Sequence, residues 1–129
     1  MRHILTILAV TDLAAATKFY VQGLGLEQVV AAPVYSELVD PSGQRLGLYQ
    51  RESFVLNTSA PVQGPPSTGT TTATELYFHC VDPAKAAAKL MVVGALLLSP
   101  LAARPWGDEA VYLQDLEGNV VVLARPLAP

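Results

Sequence analysis

Two histidines, one cysteine, one tryptophan and a thin scatter of carboxylates are the residues from which this chain could build chemistry. His79 lies in the apolar run TELYFHCV, in step with Tyr77 and Glu75, so the three share one face of an extended segment. An imidazole can take a proton near neutral pH, and His79, Glu75 and, in a separate segment, Glu37 are the candidate general bases. The competing reading of His79, a packed ring with its nitrogens hydrogen-bonded, is the favoured one. Cys80 has no basic sequence neighbour to lower its pKa, so it reads as a small buried apolar residue rather than a nucleophile. Glu37 could pair with a cationic ligand or face solvent, and the residues favour neither. Arg104, in the turn RPWG, could clamp an anion or support its loop; Asp108 and Glu109 just after it read as surface charges. Trp106 has the best claim to touch a ligand, because a flat apolar ring carried on a loop can stack on a planar molecule. Its alternative is a plug between a hairpin and a helix.

The elements that must position these residues follow from local pattern. HILTILAV is a buried strand, Thr11 or Asp12 suits a helix N-cap, and the helix runs to about Val21 before Gly23 or Gly25 stops it. LEQVVAA, YSELVD and RLGLYQ read as strands, the last two joined by a turn at Asp40–Pro41–Ser42–Gly43. From Asn57 to Thr74 the chain is Ser, Thr, Pro and Gly with little to anchor it, which predicts a mobile linker. The order then repeats: the strand TELYFHCV, Asp82 as cap, Pro83 at the first helical position, an Ala/Lys helix ended by Gly94, the short strand ALLLSP, and a hairpin of AVYLQD with NVVVLA. Val10 aligns with Val81, Asp12 with Asp82 (Thr11 being one extra residue), Asp40 with Asp115 and Gly43 with Gly118. These matches predict an α+β fold of two βαβββ modules, at about 1–56 and 75–129, within one domain.

Composition narrows the partners. A chain of 129 residues with net charge −3 and eight scattered Lys/Arg has no cluster to neutralise phosphates, which argues against nucleic acid and anionic membrane surfaces. With 51% apolar and 15% charged residues it sits at the upper edge of apolarity for a soluble domain, so a pocket, a subunit interface or both should hold apolar surface. One cysteine, no membrane-length apolar run and no signal-peptide pattern place it in the cytoplasm.

The strand ending in Val10 before Asp12, the Phe19–Tyr20 pair ahead of Gly-Leu-Gly, RPWG at Arg104–Gly107 and the closing YLQDLEGNVVVL resemble the vicinal oxygen chelate superfamily, which includes glyoxalase I, bleomycin-resistance proteins and extradiol dioxygenases. The resemblance implies that each module curls into a half-barrel with helices outside, that the pair encloses a cleft, and that the protein is a homodimer. It also implies a divalent metal on four strand positions, usually His or Glu. Counted from the capping and hairpin Asp residues, those positions are Leu5, Gly47, Leu76 and Val122, none of which can ligate. His3, Arg45, Tyr49 and Glu75 lie near them, but Glu75 would need an altered pleat to reach the cleft. No metal and no cofactor are therefore expected. The resemblance then implies a metal-independent protein that sequesters an aromatic, apolar or cationic small molecule, an antibiotic among them, with Trp106, Tyr49, Phe54, Phe78, Tyr35, Leu5, Leu76, Val122 and Arg104 lining the cleft. The alternative is a lyase, isomerase or dioxygenase-related enzyme with a rearranged or absent metal site.

Overall fold

The computed structural model describes residues 1–128, so the last residue of the expected second module, Pro129, lies outside it. Two compact units divide the chain, the first Met1–Gly64 and the second from Pro65 onward. Unit 1 holds β1 (Leu5–Val10), α1 (Leu13–Lys18), a π-helical turn (Phe19–Gly23), β2 (Glu27–Ala32), β3 (Tyr35–Val39), β4 (Arg45–Gln50) and α2 (Arg51–Thr58). Unit 2 holds β5 (Glu75–His79), α3 (Pro83–Val92), β6 (Leu96–Ala103), β7 (Asp108–Gln114) and β8 (Val120–Pro126). The sheets have the same order, β1-β4-β3-β2 and β5-β8-β7-β6, and in each the first strand runs parallel to the last. A parallel partner requires a crossover, which α1 and α3 supply. The expected α+β class and the βαβββ order are both present, and neither sheet closes into a barrel.

The repeat extends to single atoms. Asp12 and Asp82 each accept from a backbone amide of the following first turn, Ala15 at 3.0 Å and Lys85 at 3.1 Å, capping bonds of about 1 kcal/mol each. Both hairpins turn on an Asp: Asp40 Oδ1 accepts from the Ser42 and Gln44 amides at 2.9 and 3.0 Å, and Asp115 Oδ1 from Glu117 and Asn119 at 2.9 and 2.8 Å. Gly43 and Gly118 follow with φ of +91° and +88°, the left-handed geometry that closes such a turn.

Alternation in the strands separates a helix face from an open face. In unit 1, Leu8, Val10, Leu38, Leu46 and Leu48 are buried together with Ala16, Phe19 and Tyr20 from the helical segment. Burying each large side chain contributes about 1.5–3 kcal/mol, the main term holding the unit. The helix expected to reach Val21 stops as α-helix at Lys18 and widens for Phe19–Gly23. A wider turn rotates less per residue, so the consecutive Phe19 and Tyr20 can both point inward, where their rings meet edge-on at 5.0 Å.

Two departures from the sequence reading concern the joining segment. Helix α2 was not anticipated, because RESFVLNT buries none of its residues and carries no apolar stripe. Beyond Pro65 the stretch read as a loose linker is tied to the β7–β8 hairpin: Thr72 N–H donates to Gly118 O at 2.9 Å, Thr72 Oγ1 to Asn119 Oδ1 at 2.6 Å, and Gln114 Nε2 to Thr70 O at 2.7 Å. Among the described residues no helix is long and apolar enough to cross a membrane.

Candidate functional site

On the open face of unit 1, register places Leu5 beside Arg45, Ile7 beside Gly47, and Ala9 beside Tyr49. One strand further over, Tyr35 pairs with Tyr49 and Glu37 with Gly47. The absent side chain at Gly47 makes room for the Tyr35 ring: a Cβ built there would lie 2.6 Å from the Tyr35 hydroxyl oxygen and 2.8 Å from Ile7 Cγ1. Tyr35 stacks at a tilt on Tyr49 at 5.3 Å, and Tyr49 meets Phe54 of α2 edge-on at 6.2 Å. Three aromatics predicted to line a pocket therefore form one continuous surface within unit 1. Helix α2, which the sequence reading missed, is what brings Phe54 to it.

Glu37 is committed within this surface. It accepts from the Tyr35 hydroxyl at 2.7 Å and pairs with Arg45 Nη1 at 2.6 Å. These two bonds, Tyr35 first, hold its carboxyl below the usual range, while burial and then the Glu37 contact push the Tyr35 phenol up to about 12. A carboxylate with a cation and a phenol already on it is a poor proton acceptor at neutral pH. The structure thus gives Glu37 the role of holding Tyr35 over Gly47.

In unit 2 the register differs from the sequence expectation by one residue. Tyr77 pairs with Val122 and Leu76 with Val121, so Leu76 and Val122 face opposite ways. Leu76 and Phe78 share the face of Val121 and Leu123, which are buried together with Leu113, Ala87 and Leu90. Leu76 and Phe78 thus lie on the face opposite Tyr77 and His79. Glu75 stands two residues before Tyr77 just as Leu5 stands two before Ile7, so it is Glu75, with a regular pleat and no bulge, that occupies the position equivalent to Leu5. Cys80, which shares parity with Leu76 and Phe78, goes with that face too. Burial first, and Asp82 second, push its thiol up, which suits an inert residue.

The open face of unit 2 brings together Tyr77, His79, Trp106 and Asp108. Trp106 Nε1 donates to the Tyr77 hydroxyl at 2.8 Å, which donates to Asp108 Oδ2 at 2.5 Å, and His79 Nε2 lies 3.0 Å from the same oxygen. Tyr77 and then His79 hold the Asp108 carboxyl below its usual range; burial and then Asp108 push the Tyr77 phenol up. Asp108 was expected to be a plain surface charge. Its two partners lie 29 and 31 residues away, beyond any local pattern. Trp106 remains 56% exposed even with its N–H fixed, leaving a ring face open. Arg104 spends its donors on its own loop, on Ala110 O at 2.9 Å, Pro100 O at 3.0 Å and Ser99 Oγ at 3.2 Å, and lies 4.8 Å over the Tyr112 ring. That is the loop-supporting reading. Glu109 is ion-paired with Arg125, and His3 lies at an exposed position 3.4 Å from Thr6 Oγ1.

The residues do not fit the divalent metal implied by the resemblance. At the implied positions unit 1 has Leu5 and Gly47, the latter overlain by Tyr35, and so no donor; unit 2 has the fully buried Val122 and one carboxylate, Glu75. Neither a hydrocarbon pair nor a single carboxylate holds such an ion. Among the described residues no group of three or more His, Cys, Asp or Glu could hold one either. An open groove of about 1040 Å³ in unit 1 is lined by Asp12, Thr17, Lys18 and Gln22 of the helical segment, by Gln28 and Ala32, and also by Tyr35.

Comparison with known proteins matches residues 1–123 to the family model described as the Glyoxalase/Bleomycin resistance protein/Dioxygenase superfamily. Among solved structures, a glyoxalase-related enzyme from Fulvimarina pelagi superposes with a TM-score of 0.80 at 21% identity, covering 97% of this chain and 88% of that one. A glyoxalase/bleomycin resistance protein/dioxygenase family enzyme from Burkholderia phytofirmans PsJN gives 0.80 at 18%, covering 98% and 100%. A glyoxalase/bleomycin resistance protein/dioxygenase from Nocardioides gives 0.77 at 23%, covering 98% and 85%. No curated protein matches the sequence.

Proposed function

Since the chain belongs to the glyoxalase/bleomycin resistance protein/dioxygenase superfamily, we propose that it uses this scaffold to bind a small molecule without a metal, sequestering a planar aromatic, apolar or cationic ligand. The observation that carries the reading is the Tyr35 ring lying across Gly47: the position that would carry a metal ligand is given over to an aromatic surface. Tyr35, Tyr49 and Phe54 offer flat faces in unit 1, and Trp106 with Tyr77 does so in unit 2; the Tyr35 and Tyr77 hydroxyls and the Trp106 N–H are already hydrogen-bonded. A ligand would then be held by apolar burial, with stacking adding about 0.5–1.5 kcal/mol per aromatic contact. With Glu37 neutralised by Arg45, the exposed Glu75 and the ionised Asp108 of unit 2 are the carboxylates that would favour a cation.

This reading places the protein in the cytoplasm as a homodimer of single-domain chains and includes antibiotics in the ligand class. Quenching of the lone tryptophan tests it. Titration with planar cationic and neutral aromatics should give saturable quenching that EDTA does not change. Linear, non-saturating quenching across the panel would reject sequestration.

A further inference from the structure

We propose that His79 is the general base of a metal-free proton-transfer site on the open face of unit 2, oriented by Asp108 and flanked by the Trp106 ring, with planar carbon acids as its substrate class. The inference goes beyond binding and rests on the reading above for the ligand's flat shape. Its basis is geometric. Asp108 Oδ2 receives the Tyr77 hydroxyl at 2.5 Å and His79 Nε2 at 3.0 Å, and an ionised carboxylate only accepts, so Nε2 carries the imidazole proton. That tautomer leaves the lone pair on Nδ1, and the side chain is 56% exposed, so Nδ1 is open to a ligand. A base whose second nitrogen is fixed by a third group is the arrangement general-base catalysis requires.

The network is tightly specified. Asp108 is held from two sides, and its side chain is only 13% exposed. Trp106 donates to the Tyr77 hydroxyl at 2.8 Å, which fixes the indole at that hydroxyl, and the Tyr77 and His79 rings lie 5.9 Å apart. Ala124 is the neighbour of His79 on β8, and its small side chain lets Asp108 reach across from β7. The titratable groups facing His79 are Asp108 from β7 and Tyr77 and Glu75 from its own strand; Arg125 of β8 is turned to Glu109 and to the Val81 carbonyl. In the step itself, Nδ1 takes the proton of an activated C–H bond and the bond's electron pair stays on the substrate, forming a new π bond as a leaving group departs with its own pair. The imidazolium then returns its proton to water, so no metal, oxidant or second substrate enters.

Nitrobenzisoxazole is a suitable probe, being flat and needing only a base: its C–H breaks, a nitrile forms, the N–O bond breaks, and a coloured phenolate is released. The whole chain should turn it over at least about 10²-fold faster than equimolar imidazole, with kcat falling as acid protonates the base. His79→Gln should return the rate to background. Asp108→Asn should lower both kcat and the kinetic pKa while leaving KM in place, a signature that a merely structural role would not give. A rate no greater than that of imidazole, a flat profile from acid to neutral pH, or full activity in His79→Gln would overturn the proposal. Should His79→Gln fail to fold, the wild-type pH profile decides alone. Saturable Trp106 quenching by the probe with no turnover rejects the base while leaving the binding reading intact; absence of saturable quenching rejects the binding reading first.

Discussion

Gly47→Ala is the substitution whose outcome is most closely determined by the structure. On backbone entropy alone an alanine in a strand is favoured over glycine by about 0.5–1 kcal/mol. Here the new Cβ would lie 2.6 Å from the Tyr35 hydroxyl, 2.9 Å from Tyr35 Cε1 and 2.8 Å from Ile7 Cγ1, closer than carbon and oxygen approach, so the Tyr35 ring must leave. Leaving costs the hydrogen bond to Glu37, about 1–2 kcal/mol at this partly exposed site, and the contact with Tyr49, about 0.5–1.5 kcal/mol. The net is a destabilisation of about 1.5 kcal/mol, or roughly 6 °C in Tm at about 4 °C per kcal/mol. Thermal unfolding followed by circular dichroism reads it, and a double-mutant cycle isolates the cause. In a Tyr35→Ala background only the Ile7 contact remains to be relieved, so the same Gly47→Ala change should cost clearly less, and the two substitutions should be coupled by more than about 1 kcal/mol. Additive effects, or a Gly47→Ala protein as stable as wild type with Tyr35 present, would refute the claim that Tyr35 occupies the space above Gly47.

Other consequences are smaller in scope. Glu37→Gln should cost about 0.5–1 kcal/mol at neutral pH; because the folded carboxyl is held below its ordinary value, this contribution is present above about pH 4.5 and vanishes as pH falls through the folded pKa, so wild-type and variant melting temperatures should converge in acid. Asp115→Ala removes the buried acceptor of the Glu117 and Asn119 amides and of Asn119 Nδ2, and should lower stability by about 2–4 kcal/mol in urea unfolding. Gly118→Ala should also unfold earlier, since its φ is +88° and a Cβ would meet Pro66 at 2.3 Å; hydrogen exchange should report the loss first at Thr72, whose amide bonds to Gly118.

Much of the fold was legible because its signals are local. Asp12 and Asp82 announce helix starts through their own side chains, and Asp40–Gly43 and Asp115–Gly118 announce hairpins through turn geometry, so the repeated βαβββ order followed from short segments. The strand β5 misled because both of its faces are apolar or aromatic: Leu76 and Phe78 alternate with Tyr77 and His79, and no polar-out pattern fixes the parity. Aligning Val10 with Val81 then turned every side chain of that strand over, whereas counting seven residues back from each capping Asp would have matched Leu5 with Glu75. Helix α2 gave no signal since it buries no residue, yet it carries Phe54 to Tyr49. The Trp106–Tyr77–Asp108–His79 network joins residues about 30 apart through the sheet, and only the register of β5 against β8 and β7 reveals it.

The central claim, a ligand surface that works without a metal, is tested most directly by one titration done twice. Chelator-treated protein and protein equilibrated with a divalent metal are titrated with the same planar aromatic cation while Trp106 emission is followed. The account predicts saturable binding with the same affinity in both samples and no retained metal after dialysis. Binding that appears only in the metal-loaded sample, with one equivalent of metal retained, would contradict it.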